Sequence, residues 1–320
     1  MRAAQVLTTT GPADVVVREV DEPVPGEHDV LVEVHAFGVS FPDLLLSKGM
    51  YQLRPDPPFT IGIDVAGTVV RGSGFEPGQR VAGAVPFGGG ADRAVVPAAW
   101  TFALPDNVSY ETAAAIPMNV LTAHFALVDR GSLREGETVL VHGASGGVGT
   151  AAIQVAKGFG ARVIAVTSTL EKAEYARSAG ADEAVLADGF KEAVQELTGG
   201  RGVDVVVDVV GGEAFLDSLR LLAPHGRLLV VGFAAGQGIP EVKVNRLLLN
   251  NVDVRGVNWG GYAMRSNDYM QQQWAALLPL LESGAIDPPV GATYAFDDVA
   301  RALVDIDERR GLGKSVVRVR

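Results

Sequence analysis

The run Val139-Leu-Val-His-Gly-Ala-Ser-Gly-Gly-Val-Gly149 is a short apolar strand pattern that stops at a glycine-rich turn, and the helical pattern Thr150-Ala-Ala-Ile-Gln-Val-Ala-Lys157 follows at once. A glycine turn between a parallel strand and a helix lets backbone approach a diphosphate closely. The helix N-terminus behind it offers N–H groups and partial positive charge. The residues placed to do this are Ala144, Ser145, Gly146, Gly147, Val148 and Gly149. A site for NAD usually sets Asp or Glu about 20 residues beyond such a turn, to accept from the ribose hydroxyls. The second strand pattern, Arg162-Val-Ile-Ala-Val-Thr167, ends instead in Ser168-Thr169, with no acid. A carboxylate there would repel a 2′-phosphate, whereas Ser168 can donate a hydrogen bond to one and Lys172 can add charge. No nucleophile–base pair stands out, and Gly143-Ala-Ser-Gly-Gly147 lacks the spacing of a Gly-x-Ser-x-Gly nucleophile elbow.

These residues must be held by a framework whose class the composition already narrows. The chain has 320 residues, enough for two domains, and its 48% hydrophobic and 20% charged residues suit a packed globular protein. A net charge of -11 disfavours nucleic acid as a partner. The absence of cysteine excludes disulfides, thiolate-ligated zinc and a cysteine nucleophile. The five histidines, His28, His35, His124, His142 and His225, show no metal-ligand spacing. No stretch approaches the roughly 20 apolar residues of a membrane span. The opening Met1-Arg-Ala-Ala-Gln-Val-Leu7 has no leader pattern, so a cytoplasmic protein is expected.

The first 115 residues read mostly as β. Val30-Leu-Val-Glu-Val-His35 alternates, 64–70 and 93–96 are further strands, and Gly and Pro punctuate them closely, as in a partly open barrel. The period then changes. Strand patterns at 139–141, 162–167, 184–186, 203–210, 227–231 and 252–257 alternate with helical ones at 150–157, 170–179, 190–197 and 213–222. This alternation predicts a doubly wound parallel sheet of the Rossmann type. Helices over 269–283 and 297–307, an extended piece at 290–296 and a last strand at 314–320 complete the chain. The expected organisation is a β-rich catalytic domain over 1–118, completed by 261–320, with a dinucleotide-binding domain over 119–260 inserted in it.

Along almost its whole length the sequence resembles the zinc-independent medium-chain dehydrogenases/reductases of the NADPH:quinone oxidoreductase type. The matching stretches are Gly38-Val-Ser-Phe-Pro-Asp43 with Lys48-Gly-Met-Tyr51, Ile61-Gly-Ile-Asp-Val-Ala-Gly-Thr-Val69, Pro77-Gly-Gln-Arg-Val81 and Ile116-Pro-Met-Asn-Val-Leu-Thr-Ala123. Further along they are 141–149, Val231-Gly-Phe233, Gly256-Val-Asn-Trp-Gly260 and Gly313-Lys-Ser-Val-Val317. The resemblance implies a GroES-like barrel domain around the Rossmann sheet. Zinc-dependent relatives have Cys, His and Cys where this chain has Ser40, Ile63 and a residue near Met118, so no metal is expected.

The resemblance also implies roles. A lysine at the place of Lys172 contacts the 2′-phosphate in similar reductases, which makes NADPH the expected cofactor. Many of them have a tyrosine after the third strand, where this chain has Ala187-Asp188. Tyr51, Thr122, Gly232, Phe233, Asn258 and Lys314 are the further cofactor contacts it suggests. Without a Lewis acid, alcohol oxidation is hard. A quinone or α,β-unsaturated ketone instead spreads incoming charge onto an oxygen that hydrogen-bond donors can stabilise. Tyr51 is the first candidate donor, with Ser40 and Asn258 as secondary ones, and Asp43 is read as bonding a turn. The expected substrate is therefore a small quinone or enone. The alternatives are an enoyl-thioester reductase acting on acyl-CoA or acyl-carrier substrates, and a catalytically quiet NADPH-binding protein. Relatives commonly pair through the strand at 252–257, so a homodimer is expected.

Overall fold

Two compact units make up the chain in this computed structural model, which describes residues 1–266 and 268–320. One is Met1–Asn119 with Ser266–Arg320, the other Val120–Arg265. The first unit is built on β1 (Arg2–Val6), β2 (Val15–Glu19), β3 (Asp29–Val39), β4 (Phe59–Thr60), β5 (Asp64–Gly72), β6 (Arg80–Ala84), β7 (Arg93–Pro97) and β8 (Thr101–Ala103). β1 lies between β2 and β4 in a small antiparallel sheet. β3 is the spine of the larger sheet and pairs with both β5 and β7. It runs four residues past the alternating segment that marks it in the sequence. Ala36, Phe37, Gly38 and Val39 are all buried, so no polar face interrupts them to show a period of two.

The second unit holds a six-stranded parallel sheet: β9 (Thr138–His142), β10 (Arg162–Thr167), β11 (Glu183–Leu186), β12 (Val203–Asp208), β13 (Leu222–Val230) and β14 (Asp253–Gly256). The order is β11-β10-β9-β12-β13-β14, so the winding reverses between β9 and β12. In such sheets a ligand binds beyond the carboxyl ends at that reversal. Helices Gly147–Gly158, Leu170–Ser178, Phe190–Leu197 and Glu213–Leu221 stand close to where the 3.6-residue period predicts them. Phe190, Val194, Phe215 and Leu219 bury their apolar faces against Leu140, Ile164, Val206 and Leu228. Each such side chain removed from water contributes about 1.5–3 kcal/mol. At the amino end of the sheet, buried Arg227 donates to Glu137 at 2.7 Å and to the Ser132 carbonyl at 3.1 Å.

Several boundaries differ from the sequence reading; β13, for example, begins at Leu222 and not at 227. β12 stops at Asp208, not Val210, because the Asp208 carboxylate accepts the N–H groups of Val210 and Gly211 and turns the chain out of the sheet. The helix expected from residue 297 begins at Val299, after a single 3-10 turn at Phe296–Asp298. From Ser266 the chain is back in the first unit, where β15 (Val290–Ala295) and β16 (Lys314–Arg318) pair in parallel. β16 pairs antiparallel with β3, and the last strand thus completes the first sheet. Among the described residues no helix is long and apolar enough to cross a membrane.

Candidate active site

In the second unit the glycine turn sits on the carboxyl end of β9. Gly143 has φ 60°, a conformation that favours glycine. At Gly149 a Cβ would overlap the Gly143 carbonyl oxygen, so glycine alone lets the helix start this close to the strand. Gly146 donates to the Gly143 carbonyl at 3.0 Å and closes the turn. Helix Gly147–Gly158 has no side-chain cap, which leaves its first-turn N–H groups to a ligand. The turn residues Ala144 to Gly149 that were singled out in the sequence are therefore together at one helix end.

Beyond β10, Thr169 caps the next helix by accepting the Lys172 N–H at 3.2 Å, with Ser168 exposed before it and Lys172 half-buried. Ala187 donates to the Thr167 carbonyl at 2.7 Å, which brings exposed Asp188 to the same end of the sheet. Gly232 and Phe233 follow β13. The Val231 N–H reaches the Asp208 carbonyl at 2.8 Å, and Phe233 is 41% exposed. Asn258 caps the short helix Trp259–Ala263 through its side-chain oxygen, which accepts the Gly261 N–H at 3.0 Å; its amide N–H groups remain as donors. Thr122 is buried on helix Pro117–His124. His142, the residue before the turn, bonds Ser218 at 2.6 Å, and burial pushes its imidazole below the ordinary value despite the nearby Asp208 charge.

The first unit, described by itself, holds a buried ionic cluster. Lys314 donates to both Ser40 and Asp64, Ser40 donates to the same Asp64 oxygen at 3.2 Å, and the other Asp64 oxygen accepts the Met118 N–H at 2.6 Å. Gly38 makes room for this: a Cβ there would overlap the Lys314 side chain and the Ala114 carbonyl. Asp43 accepts from the N–H of Ser40 at 2.8 Å and of Gly62 at 2.9 Å, the turn bonding its sequence context suggests. Burial pushes its carboxyl up to about 7, against the pull of Lys314. The sequence reading had Ser40 as a donor and Lys314 as a cofactor contact. Here the Ser40 proton goes to Asp64, and the Lys314 ammonium, buried to 3% exposure, is turned to Ser40 and Asp64. Asp64, which ties them together, was missed. Its signal was an acid within the apolar run Ile61-Gly-Ile-Asp-Val65.

Tyr51 follows helix Phe41–Ser47. Gly49 donates to the Leu46 carbonyl and Met50 to the Leu45 carbonyl, a Schellman closure with Gly49 at φ 65°. This fixes where the half-buried ring of Tyr51 lies, packed against the core of the unit. Burial first, and the Asp43 charge second, push its phenol above the ordinary value. Tyr51 therefore keeps its proton and is suited to donating a hydrogen bond.

The position of Ser40, Ile63 and Met118 offers no metal a ligand set, since an aliphatic side chain cannot coordinate and hydroxyl and thioether are poor zinc ligands. Among the described residues no group of three or more His, Asp or Glu is placed to hold a metal ion.

Comparison with known proteins agrees with this architecture. Residues 26–106 match the family model of the alcohol dehydrogenase GroES-like domain, and residues 147–283 that of zinc-binding dehydrogenases. Quinone oxidoreductase-like protein 2 of Bos taurus is 37% identical over 95% of this chain and 89% of that protein. The quinone oxidoreductase of Thermus thermophilus, solved also as its complex with NADPH, superposes with a TM-score of 0.88 at 36% identity, covering 100% of both chains. The quinone oxidoreductase of Pseudomonas syringae pv. tomato gives 0.89 at 32% identity, over 99% of each chain. The chain belongs to the quinone oxidoreductase family of zinc-independent medium-chain dehydrogenases/reductases, a GroES-like domain joined to a Rossmann sheet.

Proposed function

We propose that this protein reduces small quinones or α,β-unsaturated carbonyl compounds with NADPH and without a metal. The observation that carries the reading is the uncapped helix end at Gly146–Gly149, with Ser168 and Lys172 where an NAD site would have an acid. The first-turn N–H groups at Gly147–Gly149 would hold the diphosphate, and Ser168 and Lys172 would hold the 2′-phosphate. Gly232, Phe233, Thr122 and Asn258 bound the nicotinamide end. When bound, the reduced nicotinamide supplies the hydride. Tyr51 donates a hydrogen bond to the acceptor oxygen as charge develops on it, and solvent supplies the proton that Tyr51 is disposed to keep. Asn258 is the second donor through its amide N–H. Ser40 and Lys314 act from within the buried cluster and hold the start of the helix that leads to Tyr51.

The test is NADPH oxidation followed by absorbance, with a quinone, an enone and crotonyl-CoA offered separately. Turnover of quinone or enone well above crotonyl-CoA supports the reading. Preference for the thioester replaces it with an enoyl-thioester reductase, and no turnover of any acceptor despite NADPH binding leaves only a nucleotide-binding protein.

The molecule works as a homodimer joined at β14. This strand ends the order of the Rossmann sheet, with no further strand paired to it among the described residues, and the chain leading to it exposes Ile239, Val244, Leu248 and Leu249.

A further inference from the structure

We infer that Asp208 is the positioning residue for the nicotinamide end of the cofactor site, an inference that rests on the reading of the second unit as an NADPH site. Asp208 ends β12, beside β9 at the reversal of the sheet, and it is fully buried. One of its carboxylate oxygens accepts the N–H groups of Val210 and Gly211, both at 2.8 Å. Its main-chain carbonyl accepts those of Val231 at 2.8 Å and Gly232 at 3.3 Å. Four N–H groups from the loops after β12 and β13 thus converge on one residue. The two loops are then zipped further, Ala234 to the Val209 carbonyl at 3.1 Å and Ala235 to the Val210 carbonyl at 2.9 Å.

The consequence reaches both sides of the site. Val209 packs over the phosphate turn so closely that a Cβ on Gly143 would stand 2.7 Å from it. Gly211, at φ 70°, lies under Phe233, where a Cβ would come within 2.9 Å of the ring. Phe233 and Gly232 therefore take their positions from the Asp208 bonds. The other carboxylate oxygen is buried and, among the described residues, makes no hydrogen bond.

The adenine end is held elsewhere, at Ser168 and Lys172, so the two ends of the nucleotide separate the effects. Asp208→Ala should weaken NADPH binding roughly tenfold or more, measured by fluorescence titration, through loss of two hydrogen bonds to a charged acceptor. It should leave inhibition by 2′,5′-ADP, which lacks the nicotinamide half, within about twofold. Asp208→Asn keeps an oxygen that can accept both N–H groups and should restore most of the NADPH affinity. If Asp208→Ala does not fold, as judged by its thermal melt, Gly211→Ala displaces Phe233 instead and should show the same split. Equal loss of NADPH and 2′,5′-ADP, an unchanged NADPH affinity, or an Asn variant as weak as the Ala variant would overturn the assignment. Wild-type protein that does not bind NADPH at all would instead remove the cofactor reading on which it rests.

Discussion

Lys172 and Asp188 pull in opposite directions on a 2′-phosphate. Lys172 stands one turn into its helix behind exposed Ser168, and Asp188 is exposed in the turn that Ala187 ties to β10. A charge-assisted hydrogen bond is worth about 1.5–3 kcal/mol, so Lys172→Ala should lower the ratio of kcat/KM for NADPH over NADH by about tenfold or more. Asp188→Asn should raise that ratio by a smaller factor, since its charge is solvated. Steady-state kinetics with both nucleotides decide the matter, and an unmoved ratio in the lysine variant would take the phosphate away from this helix. These residues were legible because the signal is local: a turn, a strand end and a missing acid within about thirty residues. Asp64 and Lys314 were not legible as a pair. They are 250 positions apart in sequence and meet only because β16 pairs with β3. Asp208 was hidden for another reason. As one acid in the run Val203-Asp-Val-Val-Val-Asp-Val-Val210, it looks like the polar interruption of a strand, and nothing in the run says that its carboxylate ends that strand.

The order and type of the Rossmann elements up to β13 could be read, because strand and helix periods alternate there and each helix buries one stripe. β13 nevertheless starts five residues earlier than its apolar run, and the short helices Asn245–Asn250 and Trp259–Ala263 were not legible. The β unit was harder. Its short strands take their length from pairing partners far away, as β3 shows by continuing to Val39 between β5 and β16. Asp43 shows how two elements are joined there, since its carboxylate ties the start of helix Phe41–Ser47 to Gly62, just before β5. Its value in the fold, about 7, lies above the ordinary 3.8. The stability it contributes is therefore full below about pH 4 and is lost as pH rises through about 7. His35, His124 and His142 are pushed below 6.5 by burial and act oppositely, losing stability as pH falls. The stability difference between wild type and Asp43→Asn cancels the histidines. By urea denaturation, wild type minus variant should decline steadily from about pH 4 to about pH 7 and then level off. A difference independent of pH would show that Asp43 does not titrate in this range.

On the scale of the whole molecule, β14 ends the order of the parallel sheet, and among the described residues β13 is the only strand paired with it. Open edges are usually short, charged or covered. This one is four residues long and follows helix Asn245–Asn250, where Leu248 and Leu249 are 76% and 73% exposed. Leu247 of the same helix packs inward against the sheet core, so the helix is apolar on its outer face as well as its inner one. A second copy placed edge to edge would extend the sheet and bury these side chains, each contributing about 1.5–3 kcal/mol. Each copy carries a net charge of -11, so their mutual repulsion opposes the pairing and salt should relieve it. Light scattering on the eluting protein should give twice the chain mass, with the dimer persisting to lower concentration as salt is raised. Replacing Leu248 and Leu249 together by Glu adds repulsion at the very place where burial is needed, and should yield a folded monomer that melts cooperatively at a lower, concentration-independent temperature. A wild-type monomer at every concentration would end the dimer proposal. A variant that remains dimeric would move the interface off this edge, because two buried carboxylates per copy could not be tolerated there.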